Sequence, residues 1–135
     1  MTPDTHEFLL RGMKQGKKVI MTSNHDPEKL HGLIEHFDIT RFIAKAYTST
    51  EIGFEKPHPD FFRSILQREN LDPGEYVMVG NNPINDISGA EAVGMHAVLY
   101  DQQQKFRDFK GFRVDRLSDV WNVISSVAVD MPRTP

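Results

Sequence analysis

The chain contains no cysteine, which excludes both a disulfide framework and a thiolate zinc site. It has no excess of positive charge: 16 Lys and Arg stand against 19 Asp and Glu, a formal net charge of -3. Without a basic field there is little to hold a polyphosphate backbone, so no nucleic-acid partner is expected. No apolar run approaches the ~20 residues that span a bilayer, so no membrane partner is expected either. The opening Met1-Thr2-Pro3-Asp4-Thr5-His6-Glu7 is polar and acidic and does not read as a signal peptide. These absences point to a soluble, cytoplasmic protein. What is present suits one globular domain with its own core: 39% of the 135 residues are hydrophobic and 26% charged. We read residues 1–135 as that domain, without repeat or linker, and leave the tail from about residue 126 unassigned.

Apolar periodicity alternates between helix and strand. Phe8, Leu9 and Met13 mark one face of a first helix that ends near Gly16. Lys18 to Ser23 reads as a short buried strand, and Asp26-Pro27-Glu28 as a helix start with Asp26 as N-cap. Leu30, Leu33, Ile34 and Phe37 then follow at helical spacing. Ala44 to Thr48 is a weaker strand, and Gly53 to Pro59 a loop, because its prolines forbid regular pairing. A helix from about Asp60 buries Phe61, Phe62, Ile65 and Leu66 and stops near Asn70. Tyr76 to Gly80 is the clearest strand; a Pro/Asn-rich loop leads to a helix from about Asp86 to Val93, with Gly94 as its C-cap. His96 to Tyr100 is a strand, Asp101 to Lys110 a polar loop, and Leu117, Val120, Trp121 and Ile124 lie on a last amphipathic helix. Short strands separated by helices imply an α/β fold with a doubly wound parallel sheet. Such sheets bind ligands beyond the carboxyl ends of their strands.

Polar residues gather at those ends. Ser23 and Asn24 close a strand just before a helix N-terminus, where a hydroxyl and exposed amides suit a phosphate oxygen. The same two residues would serve equally well in an ordinary turn. Lys56, between Glu55 and Pro57, can place a fixed positive charge on a phosphoryl group; alone it would pass for a solvated surface lysine. Gly80-Asn81-Asn82-Pro83-Ile84-Asn85-Asp86 follows a strand and opens a helix. Oxygen ligands on such a loop, Asn81 and Asp86, suit magnesium, and an Asn-rich turn with Asp86 starting the helix is the plainer alternative. His25, His31 and His36 lack the one-turn spacing of a helical metal site.

Taken in order, these strings resemble the haloacid dehalogenase (HAD) superfamily. Val19 to Asn24 is similar to its second motif, Gly53 to Phe62 to its third, and Val77 to Ala90, continuing to Met95, to its fourth. The similarity runs from about Thr5 to Leu117. It implies a Rossmann-like core and a phosphohydrolase acting on a phosphorylated small molecule with magnesium. It also assigns roles: Ser23 and Lys56 as catalytic and, with Asn24, phosphate-binding residues, and Asp86 with Asn81 as metal ligands.

Two departures qualify that expectation. Asn81 stands where the family's fourth motif carries an aspartate, which removes a negative charge from the magnesium ligands and weakens them. The first motif, an apolar strand ending in Asp-x-Asp-x-Thr with the nucleophile, is absent ahead of Ser23, as is the cap usually inserted after it. In the family that strand lies between those ending here at Ser23 and Gly80. Without it those two strands must pair directly, borrow a strand from another chain or leave buried backbone groups unpaired. The expectation is therefore a truncated or split core of low or no activity, dependent on a partner chain or dimer for the missing strand or degraded in function. The alternative is a non-catalytic, phosphate-binding or subunit-like relic. The tail offers one more possibility: Asp130 and Thr134 follow an apolar run at the family's Asp-x-x-x-Thr spacing, so a C-terminal strand with Asp130 as nucleophile would fill the gap. There Pro132 replaces the usual general acid. The plainer alternative is a tail that matches the spacing by chance.

Overall fold

The computed structural model describes residues 3–24 and 26–127. Packing divides the chain into two compact units, Met1–Glu55 and Lys56–Pro135. The first holds α1 (Pro3–Lys14), β1 (Ile20–Ser23), α2 (Pro27–His36), β2 (Lys45–Thr48) and the short α3 (Ser49–Ile52). Its α2 starts where the sequence predicts: the Asp26 carboxylate accepts the Lys29 N–H at 2.8 Å, and Pro27 occupies the first turn. A cap of this kind stabilises a helix by about 1 kcal/mol. Leu9, Leu30, Ile34, Ile39 and Phe42 form the core of this unit. The buried stripe is narrower than periodicity predicts. Met13, Leu33 and Phe37 are 48%, 40% and 38% exposed, because Leu9 from α1 and the Leu30–Ile34 pair of α2 already fill the core. β1 and β2 pair in parallel from Ile20 opposite Lys45 to Ser23 opposite Thr48.

The second unit holds α4 (Pro59–Glu69), β3 (Val77–Gly80), a π-helical segment (Pro83–Ser88), α5 (Gly89–Glu91), β4 (His96–Tyr100), β5 (Phe112–Val114) and α6 (Val120–Val127). Its three strands are parallel in the order β3-β4-β5. Phe61, Phe62, Ile65, Val98, Leu99, Val120 and Trp121 are buried. Leu66, expected among them, is only partly so. The helix expected from Asp86 begins at Pro83 instead, and its first six residues are π-helical. The C-cap of α5 is Ala92 and not Gly94 as expected; Gly94, at φ +92°, ends the turn that follows. The crossover from β4 to β5 is unusual for a parallel pair, because it is made by the loop 101–111 and not by a helix.

The architecture is Rossmann-like α/β with parallel strands. No helix among the described residues is long and apolar enough to cross a membrane. Asp130, Pro132 and Thr134 lie outside the described residues.

Candidate active site

The loop after Gly53 leads to Lys56, and Pro59 then starts α4, capped by the His58 Nδ1, which accepts the Asp60 N–H at 3.0 Å. This brackets Lys56 between a left-handed Gly53 (φ +91°) and a rigid helix start. At the end of β3 the chain turns through Asn81 into the π-helical segment. The Asn82 side chain caps that segment by accepting the Ile84 and Asn85 N–H groups at 3.0 and 2.9 Å. π-helical turns recur at functional sites because they redirect side chains from the regular helical stripe. Here the segment carries Asp86 inward, leaving it 5% exposed.

The Lys56 Nζ donates to Asp86 Oδ1 at 2.8 Å, and the backbone N–H of Asn82 donates to Asp86 Oδ2 at 3.1 Å. Both side chains of the ion pair are largely buried, at 11% and 7% exposure. A buried pair of this kind depends on both partners, since removing one leaves an uncompensated charge. Two glycines permit the arrangement. A Cβ on Gly80 would overlap the Asp86 carboxylate, and one on Gly89 would overlap the Phe62 ring and crowd the Pro57 carbonyl at 3.1 Å. The predicted residues Lys56 and Asp86 are therefore brought together, and Asn81 sits exposed on the turn between β3 and the π-helical segment.

Ser23 and Asn24 belong to the other unit, at the end of β1. Ser23 is buried and faces Thr48 in the strand register. Thr48 is a residue that the sequence reading missed: it is 1% exposed, donates to Glu51 Oε1 at 3.0 Å and caps α3 by accepting the Glu51 N–H. The second omission is Asp101, directly after β4. It is 4% exposed and accepts hydrogen bonds from Lys105 N, Phe106 N and Arg113 Nε, each at 2.9 Å. Burial works to raise the Asp101 pKa. The Phe106 N–H, the Arg113 guanidinium and the Lys105 N–H outweigh it and hold the carboxyl below its ordinary 3.8. An aspartate closing an apolar strand, with an arginine twelve residues on, was the available signal.

A family model described as haloacid dehalogenase-like hydrolase matches residues 1–94. The ribulose-1,5-bisphosphate 5-phosphatase of Halopiger xanaduensis is 33% identical over 78% of this chain and 44% of its own length. The phosphoserine phosphatase of Thermus thermophilus is 31% identical over 94% of this chain and 51% of its own length. The chain thus spans about half the length of these curated relatives. Among solved structures, the HAD phosphatase of Thermococcus onnurineus superposes with a TM-score of 0.84 at 22% identity, over 92% of this chain and 58% of that one. The chain is akin to phosphohydrolases, and it belongs to the haloacid dehalogenase-like hydrolase family.

Proposed function

We propose that this chain carries the phosphate-holding part of a magnesium-dependent phosphomonoesterase that acts on a phosphorylated small molecule. The observation that carries the reading is the buried Lys56–Asp86 pair, built by the third- and fourth-motif strings. In the reaction of such an enzyme, a carboxylate oxygen attacks phosphorus and the substrate's alcohol leaves. Lys56 holds a positive charge against the phosphoryl oxygens, with Asp86 fixing where its ammonium stands. The second-motif string adds Ser23 and Asn24 as phosphate-binding residues of this reading, a hydroxyl and an amide that can each donate to a phosphate oxygen. We take residues 1–135 as one domain for this purpose.

The fit to magnesium is partial. Its donors would be Asp86 and Asn81, both oxygen ligands of the kind the ion prefers, but only one of them is charged. That one carboxylate already accepts from Lys56 and from Asn82 N–H, and among the described residues no group of three or more acidic, histidine or cysteine side chains could hold a metal. When bound, the ion supplies Lewis acidity to a phosphoryl oxygen. The rest of its ligand shell would be water and substrate, so weak binding is expected.

Ahead of Ser23 no Asp-x-Asp-x-Thr string occurs, so we expect little or no turnover from these residues alone. A second reading is a phosphate-binding subunit without chemistry of its own, completed by another chain. It is favoured by β1 and β3, each an edge strand of its own sheet among the described residues. A strand at the edge of a sheet can take up an incoming strand from another chain. Titration with inorganic phosphate tests both readings: binding that Lys56→Ala removes supports the site, and binding insensitive to Lys56→Ala overturns it.

A further inference from the structure

The loop that carries the chain from β4 to β5 does more than connect them. With the start of the π-helical segment it bounds a cleft of about 700 Å³, a volume typical of small-molecule sites. Its walls include Asn82 and Ile84 on one side and Lys105, Phe106, Arg107 and Phe109 on the other. Large apolar side chains are left open there: Ile84 is 66% and Phe106 38% exposed. Asn82 belongs to both places, since it lines the cleft and its N–H holds Asp86.

We propose that this cleft takes the carbon-bearing side of a phosphate ester, that this side is flat and apolar, and that the loop 101–110 selects for it. The inference rests on the phosphate-site reading above and names the substrate class for that site. Ile84, Phe106 and Phe109 offer apolar surface, and removing such surface from water together with an apolar group is what favours binding. Lys105 and Arg107 outnumber Asp108 on the same walls, so the cleft attracts an anion-bearing molecule.

The loop is held in shape before any ligand arrives. Asp101 takes the N–H groups of Lys105 and Phe106, its own carbonyl accepts the Gln104 N–H at 3.1 Å, and Gln104 adopts a left-handed conformation at φ +56°. Arg113 of β5 closes the arrangement on Asp101. The backbone that presents Phe106 is thus tied to both strands, which makes Asp101 a positioning residue.

The test compares phenylphosphonate with methylphosphonate, titrated into the full chain by calorimetry. Phenylphosphonate is expected to bind about tenfold tighter. Phe106→Ala and Ile84→Ser are each expected to bring the ratio of the two affinities towards one, and Asp101→Asn to lower it through the loop. Phe37→Ala, an exposed phenylalanine in the other unit, is expected to keep it. Equal affinities in the parent chain, a ratio unmoved by Phe106→Ala and Ile84→Ser, or a ratio lowered as much by Phe37→Ala overturns the proposal. If neither phosphonate nor inorganic phosphate binds, the phosphate-site reading fails first and this inference with it. Phosphate binding without a phenyl preference overturns this inference alone.

Discussion

Asp86 occupies the space that a side chain on Gly80 would need: a Cβ there would overlap its carboxylate. The last residue of β3 must therefore be glycine for the carboxylate to stand between Lys56 and the Asn82 N–H. Gly80→Ala is expected to cost about 1–3 kcal/mol by overpacking and to displace Asp86. Gly32, inside α2, has nothing within 4 Å of the position its Cβ would take. Gly32→Ala is expected to leave stability unchanged or raise it by up to about 1 kcal/mol. Urea unfolding of the two variants separates a glycine needed for close approach from one that is not.

The Lys56–Asp86 pair should behave as a unit. Lys56→Met alone leaves a buried carboxylate unpaired and is expected to cost about 3–5 kcal/mol. Adding Asp86→Leu removes that unpaired charge, so the double variant should be less destabilised than the sum of the two singles. Denaturant midpoints across the four proteins read the coupling directly. Strict additivity would mean that the two side chains do not depend on each other.

Much of this pair was legible beforehand. Lys56 stands in a proline-flanked string and Asp86 at the start of a helix after the clearest apolar strand, and it is the resemblance of these strings to the family's third and fourth motifs that singles the two residues out. Their contact was not legible, because thirty residues separate them and only the packing of Gly89 against Phe62 and Pro57 shows how closely the segments approach. The strands ending at Ser23, Thr48, Gly80 and Tyr100 followed from apolar runs. β5 was missed because Phe112-Arg113-Val114 is too short to show a period and follows a polar loop. The Asp101 cluster was missed for a different reason: three of its bonds go to two backbone N–H groups and a distant arginine, which no local pattern encodes. The helix at Asp86 was placed correctly in kind but late by three residues, since Asn82 and not Asp86 supplies the cap.

An aspartate at position 81 should strengthen the magnesium binding proposed for Asn81 and Asp86. Asn81→Asp adds a second carboxylate to the proposed donor pair, and the affinity for magnesium is expected to rise at least about tenfold. Calorimetric titration with magnesium chloride measures this without reference to activity. An unchanged affinity would remove Asn81 from the list of donors.

Asp101 makes the stability of the loop dependent on pH. Its folded carboxyl titrates below the ordinary 3.8, so its contribution is fully present above the unfolded value and is lost as pH falls through the folded one. Asp101→Asn should therefore be less stable than the parent chain at pH 7, with the gap closing below about pH 4. Urea midpoints of both proteins at pH 7 and at pH 3 give the difference, and a gap of equal size at both values would show that the charged form is not what the loop needs.

The most direct measurement of the account is hydrolysis of a generic aryl phosphate by the 135-residue chain with saturating magnesium. The account predicts release of the aryl alcohol no faster than the protein-free blank, although inorganic phosphate still binds in a Lys56-dependent way. Turnover well above the blank, abolished by Asp130→Asn, would contradict it and place the nucleophile in the C-terminal tail.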